Sequence, residues 1–400
     1  MTLRRPPDPA IGTEIRARRL LRGWSIRFAA SRAGVSHATW SRIERGLQTA
    51  DNRFMLAAIA AALECTPAEL VRPAVPASDR VTAAARAGVL GLRTALVDID
   101  LTEPPGRPAS PIAELRRSAD LVGALYRTCD YAGAAHLLPD LLRHLHTETA
   151  GPHHRDALRL LCEATHTASS VLRSLGHPSD AWLGAQQCRD AADAAGDPIL
   201  QGHAAYVLAS AAIACGSHQR GQTLAERAVD ALSPHLARPG GLEALGSLHL
   251  VAALASRFRQ RPDDSRDWLT AASALARRTG ETDTMGLFFG PTNVNIWWMS
   301  IEVDDGDPIR VVEIARRTDP AVIPVGVRQV FYYADTARAL ARIGGRDREA
   351  IRFLLTAERV APQHVRTCPE TTAAIRLLLE RSRRQSGGTE LRALYERVTS

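Results

Sequence analysis

The chain has 400 residues, 45% of them hydrophobic, enough for a small domain and a larger one with separate cores. No apolar run reaches membrane-spanning length and no stretch has the form of a signal peptide, so a cytoplasmic protein without a membrane partner is expected. The six cysteines are scattered with no C-x-x-C pair, which argues for buried reduced thiols over a disulfide framework or a zinc site.

The positive charge is unevenly placed. None of the 50 basic residues is Lys, a bias of the kind a GC-rich genome produces. Residues 1–72 hold 12 Arg and 6 acids, whereas the remainder holds 38 Arg and 37 acids. Almost the whole excess of +7 therefore lies in the first fifth of the chain. A small basic module on a nearly neutral body points to nucleic acid as the partner of the first part.

Residues 1–10, MTLRRPPDPA, are rich in Pro and Arg and read as a disordered N-terminus. IGTEIRARRLLRGW (11–24) reads as a first helix, with Ile15, Leu20 and Leu21 among its apolar positions. SIRFAASRA (25–33) reads as a short second helix capped by Ser25. AGVSHATWSRIERG (33–46) offers Gly34 for a sharp turn, Ser36 as N-cap and Gly46 as helix stop. At 100° per residue, Ser36, Trp40 and Ile43 fall on one side of this third helix. His37, Ala38, Ser41, Arg42 and Arg45 fall on the other. Trp40 is thus expected in the core, under a polar, small and basic face suited to the major groove. DNRFMLAAIAAALECTPAEL (51–70) gives two more helices, broken at Pro67.

On the marks IRARR, S-x-x-x-A-A-x-x-A-G-V-S and W-S-R-I-E-R-G, residues 11–71 resemble an Xre-type, phage-repressor-like helix-turn-helix domain. The resemblance implies base reading by His37, Ala38 and Arg42, since Arg on guanine is the commonest specific major-groove contact and Ala offers a methyl to thymine. It implies phosphate contact by Ser25, Arg27, Thr39, Arg45, Asn52 and Arg53, with Ser36 and Ser41 on the same interface. It also pairs Arg19 with Glu44. Two positions depart from the pattern. Ala29 stands where a larger aliphatic is usual, with Phe28 before it to cover the hole or to make a dimer contact. Ile26 stands where a polar, DNA-contacting residue is usual.

Residues 74–111 read as linker and connecting helix: RPAVPASDR and TEPPGRPASP carry prolines, and VTAAARAGVLGLRTALVDID (81–100) lies between them. Residues 112–400 are helical almost throughout, with turn signals such as Gly176, Gly196-Asp197-Pro198, Gly216 and Gly344-Gly345. A polar turn followed by an amphipathic, Ala-rich helix recurs at about 40 residues, longer than a strict tetratricopeptide repeat of about 34. The expected fold is therefore all-α: a five-helix, lambda-repressor-like DNA-binding domain over 11–73, then a tetratricopeptide-like α-solenoid for sensing and dimerisation. The whole layout resembles a common type of regulator in filamentous actinobacteria.

Aromatic residues are scarce, so GLFFGPTNVNIWWM and VGVRQVFYYAD stand out. On a helix starting near Pro291, Asn293, Trp297 and Ser300 share one face, while Val294, Trp298 and Ile301 share another that reads as core. Asn293, Trp297, Arg328 and Tyr332 are nominated as the lining of an effector groove, the alternative being that these aromatics only pack helix on helix. No nucleotide-loop, zincin, serine-hydrolase or dinucleotide motif occurs, so no enzyme and no cofactor is expected. The tract HLHTETAGPHH (144–154) reads as a solvated helix end, with no metal, and DDGD (304–307) as a repeat turn and helix cap.

The function expected is a sequence-specific transcriptional regulator, cytoplasmic or nucleoid-associated. It would bind an inverted-repeat operator in double-stranded DNA as a homodimer and respond to a peptide or small-molecule effector. The rival reading is a DNA-binding scaffold whose repeat groove holds a partner protein, antitoxin-like or sigma-related.

Overall fold

A computed structural model describes residues 9–50, 52–65, 67–70, 80–105, 110–382 and 389–399. Residues 1–8 of the expected disordered terminus, 71–73 at the end of the expected head, and 74–79 and 106–109 of the expected linker lie outside them. Every regular element among the described residues is helical. The chain divides into two compact units. One takes Met1–Pro76, Met299–Arg317 and Val330–Ser400; the other takes Ala77–Trp298 and Thr318–Gln329.

The first unit begins with α1 (Pro9–Leu21), α2 (Ile26–Arg32), α3 (His37–Glu44), α4 (Arg53–Ala62) and α5 (Pro67–Leu70). Their shared core is formed by Ile15, Ala29, Ala30, Trp40, Ile43, Leu56, Ile59, Leu63 and Leu70. Of the apolar residues expected on the first helix, Ile15 is fully buried, whereas Leu20 and Leu21 are exposed. The small Ala29 is buried with no larger side chain in its place. Phe28 does not fill that site: it is 48% exposed and packs edge-to-face on Trp24, with ring centroids 5.1 Å apart. Gly12 lets α1 approach α3, because a Cβ there would lie 2.3 Å from the Ile43 carbonyl oxygen.

The second unit holds α6 (Arg80–Val97), α7 (Ile112–Arg127), α8 (Tyr131–Glu148), α9 (His154–Ser174), α10 (Pro178–Ala195), α11 (Pro198–Ala214), α12 (His218–Leu232), α13 (Gly241–Phe258) and α14 (Pro262–Thr279). From α7 to α14 each helix packs on the next, and α7, α9, α11 and α13 also pack in succession, the contact pattern of stacked hairpins. The starts of α9, α11 and α13, at residues 154, 198 and 241, are spaced by 44 and 43 residues, close to the period read from the sequence. The turn between α10 and α11 shows how the sequence sets these stops. Gly196 ends α10 in the left-handed region, Asp197 accepts from the Ile199 amide at 2.9 Å, and Pro198 begins α11 where no amide is needed. The connecting helix α6 packs on α8 and α10, and Arg93 forks onto Asp180 at 2.6 and 2.8 Å.

The C-terminal helices are α15 (Pro291–Asp305), α16 (Pro308–Arg316), α17 (Gly326–Ile343), α18 (Asp347–Val360), α19 (Pro362–Thr367), α20 (Pro369–Ser382) and α21 (Thr389–Thr399). Residues of α15 and α17 fall in both units. In the DDGD tract, Asp307 caps α16 by accepting from the Ile309 amide at 2.8 Å, as its position predicts. The His-rich tract differs from expectation. His146 is buried, and its Nε2 lies 2.6 Å from the Asp100 carbonyl oxygen, so this helix end is tied into the fold.

Candidate nucleic-acid interface

The interface grows from two capped helices and the turn between them. Ser25 accepts from the Phe28 amide at 3.1 Å and Ser36 from the Thr39 amide at 3.0 Å, which starts α2 and α3 where the sequence predicts. Gly34 closes the turn at φ +65°, and Val35 N–H donates to the Ala30 carbonyl at 3.0 Å. Trp40 is fully buried and Ile43 nearly so, which anchors one side of α3. His37, Ala38 and Arg45 are exposed on α3 and at its end, with Ser41 and Arg42 half-buried beside them. Ser25, Arg27 and Ser36 are also exposed, while Thr39 is half-buried with its hydroxyl 2.8 Å from that of Ser36.

Glu44 holds this arrangement from inside. Arg19 Nε donates to its Oε1 at 2.6 Å and Arg19 Nη2 to its Oε2 at 2.9 Å. The Trp40 indole N–H donates to the same Oε1 at 2.6 Å. Arg19 Nη1 spans on to the Trp24 carbonyl at 2.6 Å. The two charged side chains are only 9% and 4% exposed. The hydrogen bond to Glu44 outweighs burial and holds the Arg19 guanidinium above its ordinary range. The carboxylate thus joins α1 to α3, and Arg19 extends the link to the Trp24 carbonyl in the turn before α2. Sequence reasoning paired Arg19 with Glu44 but missed Trp40 and Trp24 as hydrogen-bonding partners.

Arg42 is oriented by a residue the sequence did not single out: its Nε donates to Gln48 Oε1 at 3.0 Å. Arg45 Nε donates to the Ser41 carbonyl at 3.2 Å.

Asn52 and Arg53 are engaged within their own unit. Asn52 caps α4, accepting from the Phe54 and Met55 amides, and its Nδ2 donates to the Asp304 carbonyl at 3.0 Å. Arg53 Nε pairs with Asp304 Oδ2 at 2.8 Å, and Arg53 Nη2 donates to the Ser300 carbonyl at 2.5 Å. Asp304, with its side chain 1% exposed, also pairs with Arg338, which pairs in turn with Asp335 at 2.8 Å. Burial pushes the Asp335 carboxyl above the usual range against the pull of Arg338 and Arg53. Asn52, Asp304, Arg338, Arg342 and Glu370 line one cleft. The first Asp of DDGD is therefore an ion-pair centre, a role its turn-like context concealed.

Of the nominated effector residues, Asn293, Trp297 and Arg328 belong to the second unit and Tyr332 to the first. Asn293 is buried; its Nδ2 donates to the Leu287 carbonyl at 3.3 Å, and its Oδ1 has no partner among the described residues. Trp297 is half-buried; Val294 and Ile301 are core, as expected, whereas Trp298, expected with them, is half-buried. Burial opposes the Arg328 charge, yet Tyr206, Tyr126 and Tyr131 around it, with a hydrogen bond to Tyr206, hold it above its ordinary range. Tyr332 is buried and donates its hydroxyl to the Ala315 carbonyl at 3.0 Å.

Residues 10–72 match the family model of a helix-turn-helix domain. No curated protein matches the chain. A solved structure, that of Bacillus thuringiensis PlcR in complex with the peptide PapR7 and DNA, is similar at a TM-score of 0.36 and 15% identity, over 68% of this chain and 96% of that one. The chain carries a DNA-binding helix-turn-helix head, and every regular element among its described residues is helical. No helix of the described residues is long and apolar enough to cross a membrane.

Proposed function

We propose that this helix-turn-helix protein is a sequence-specific transcriptional regulator that binds an inverted-repeat operator as a homodimer and answers to a small effector held by its repeat body. The observation that carries the DNA-reading half is the two-sidedness of α3. His37 and Ala38 are exposed, with Arg42 beside them, while Trp40, Ile43 and Glu44 fasten the opposite side. Arg42, held by Gln48, is assigned to a guanine edge, and Ala38 to a thymine methyl. His37 completes the base-reading set. Ser25, Arg27, Ser36, Thr39, Ser41 and Arg45 are assigned to the backbone on either side.

Asn52 and Arg53 are assigned to phosphates as well, with a consequence for regulation. Arg53 cannot hold Asp304 and a phosphate with the same donors. Operator binding through Arg53 and its pairing with Asp304 are therefore alternatives, and an effector that shifts one shifts the other.

A two-fold protein suits a two-fold site, because one head covers too little DNA for tight specific binding. For the effector, Arg328 supports a ligand carrying a carboxylate, such as a peptide C-terminus or an organic acid: it is a half-buried cation beside the phenols of Tyr206, Tyr126 and Tyr131. Asn293 and Trp297 are further candidates for that lining.

The deciding experiment is selection of bound sites from a randomised duplex library by the full-length protein and by Arg42→Ala. The wild type should return an inverted repeat. The variant should lose about 1–3 kcal/mol on it and relax one base pair per half-site. A flat loss across all sequences would remove Arg42 from the reading set. Light scattering of a monomer both free and on DNA would remove the dimer.

A further inference from the structure

Three consecutive helices bring together side chains that lie far apart in the chain. Cys162 stands on the buried stripe of α9, Cys188 on α10 and His203 on α11. The two sulfurs are 3.4 Å apart, and these with a ring nitrogen of His203 all lie within 4.8 Å of one another. Both cysteines are fully buried and His203 is 1% exposed.

The histidine is the anomaly. Neither of its ring nitrogens has a hydrogen-bond partner among the described residues. A neutral imidazole offers one donor and one acceptor, and burying both unanswered is costly. Such a group in a folded core calls for a partner beyond the protein's own atoms. His166, one turn beyond Cys162 on α9, lies outside this three-residue cluster but packs on its histidine. Its ring meets that of His203 edge-to-face, with centroids 4.7 Å apart.

We propose that Cys162, Cys188 and His203, with His166 as the fourth ligand, bind one zinc ion in the core of the repeat body. The spacing suits it. Tetrahedral zinc, with bonds of about 2.3 Å to sulfur and about 2.0–2.1 Å to nitrogen, sets neighbouring ligand atoms about 3.3–3.8 Å apart, the two sulfurs at the upper end. The sulfurs are already within a few tenths of an ångström of that separation. The donor set selects the ion, since two sulfurs and two imidazoles suit zinc, whereas magnesium, calcium and manganese take oxygen. Charge selects it too. Two thiolates and Zn²⁺ sum to zero, so the filled site leaves no net charge in the core, whereas monovalent copper would leave a negative one.

On binding, each thiol gives its proton to solvent and each sulfur forms one bond to the metal, with no change of oxidation state. The ion would pin α9, α10 and α11 to one another, at the centre of the repeat stack. The scattered cysteine spacing hid this cluster, because the ligands come from three separate helices.

The test uses the full-length protein, reduced and stripped of metal, with cobalt(II) as spectroscopic probe and zinc as competitor. One equivalent of cobalt should give a thiolate-to-metal charge-transfer band and the intense visible bands of tetrahedral coordination, and zinc should abolish both. Cys162→Ala, Cys188→Ala and His203→Gln should each weaken cobalt binding more than about tenfold. Circular dichroism identifies which of these variants remain folded. The wild type should carry about one zinc per chain when purified without chelator, and should melt higher with zinc than without. All six thiols should react with a thiol reagent after unfolding without reductant. The proposal is overturned by a folded wild type that shows no thiolate-to-cobalt band, by a band that survives in Cys188→Ala, or by only four reactive thiols, which would mean a disulfide.

Discussion

Replacing Glu44 by Ala should disable the head through its stability and not through a lost DNA contact. The carboxylate accepts three hydrogen bonds, two from Arg19 and one from the Trp40 indole, at 2.6–2.9 Å. Its removal strands a guanidinium that is 9% exposed and an indole N–H at the centre of the core. Breaking a buried pair from one side costs about 3–5 kcal/mol, a large share of a small domain's stability. An exposed pair would cost less than about 1 kcal/mol. Glu44→Met with Arg19→Leu should recover much of the loss, because a buried ion pair does little better than packed apolar groups. Recovery should stop about 1–3 kcal/mol short, since Trp40 Nε1 still lacks its acceptor, and adding Trp40→Phe should narrow that gap. The assay is urea unfolding of residues 1–76, whose core is formed within the head itself. Additive single effects of Arg19 and Glu44, or a loss under about 1 kcal/mol for Glu44→Ala, would refute the reasoning.

Gly12→Ala should also destabilise the head, by an overpacking cost of about 1–3 kcal/mol, since its Cβ would meet the Ile43 backbone oxygen at 2.3 Å; urea melts of the same fragment read it, and an unchanged midpoint would contradict the close approach. Asp304→Asn in the full chain should tighten DNA binding and steepen the log–log salt dependence by about 0.9 for each Arg53 released to a phosphate. In an Arg53→Ala background the same substitution should do nothing, and fluorescence anisotropy against salt tests both. Burial lowers His249 to about 4 from 6.5, so its contribution to stability is complete above 6.5 and is lost as pH falls toward 4 while the unfolded chain takes up the proton. His249→Phe should remove a component of up to about 3 kcal/mol from the acid destabilisation, seen as a shallower fall of melting temperature between pH 7 and 4.5.

The head was legible because its signals are local. Caps at Ser25 and Ser36, the left-handed Gly34 and the spacing of Trp40 and Ile43 each act within one turn of chain. The repeat body was legible for the same reason at turns such as Gly196-Asp197-Pro198, where stop, cap and restart are adjacent. What escaped depends on contacts between distant segments. Nothing near Asp304 tells that it meets Arg53, and nothing near His146 tells that it meets the Asp100 carbonyl. Phe28 escaped because hydrophobicity alone does not distinguish a buried ring from one lying half-exposed against Trp24. Cys162, Cys188 and His203 escaped because a ligand set drawn from three helices has no spacing to read.

The charge that first pointed to nucleic acid needs to be divided before it is used. Arg19 is neutralised inside the head by Glu44, Arg18 pairs with Glu14 at 2.8 Å, and Arg53 is held by Asp304. Arg22 and Arg32 lie over the ring of Trp24. The basic side chains left on or beside the two helices of the interface are Arg27, Arg42 and Arg45. The pairs with Glu14 and Glu44 are already cancelled in the net charge of the segment, whereas the pair of Arg53 with Asp304 subtracts from it, because Asp304 lies outside residues 1–72. Arg42 is tied to Gln48 and assigned to a base, which leaves Arg27 and Arg45 to meet phosphate, with Arg53 in reserve. On that assignment the head makes few phosphate contacts, so the gain or loss of one arginine would be a large fraction of its electrostatic affinity. On the proposed reading, a single carboxylate, Asp304, placed on Arg53, therefore weighs more on DNA binding than the same pair would on a more heavily charged head.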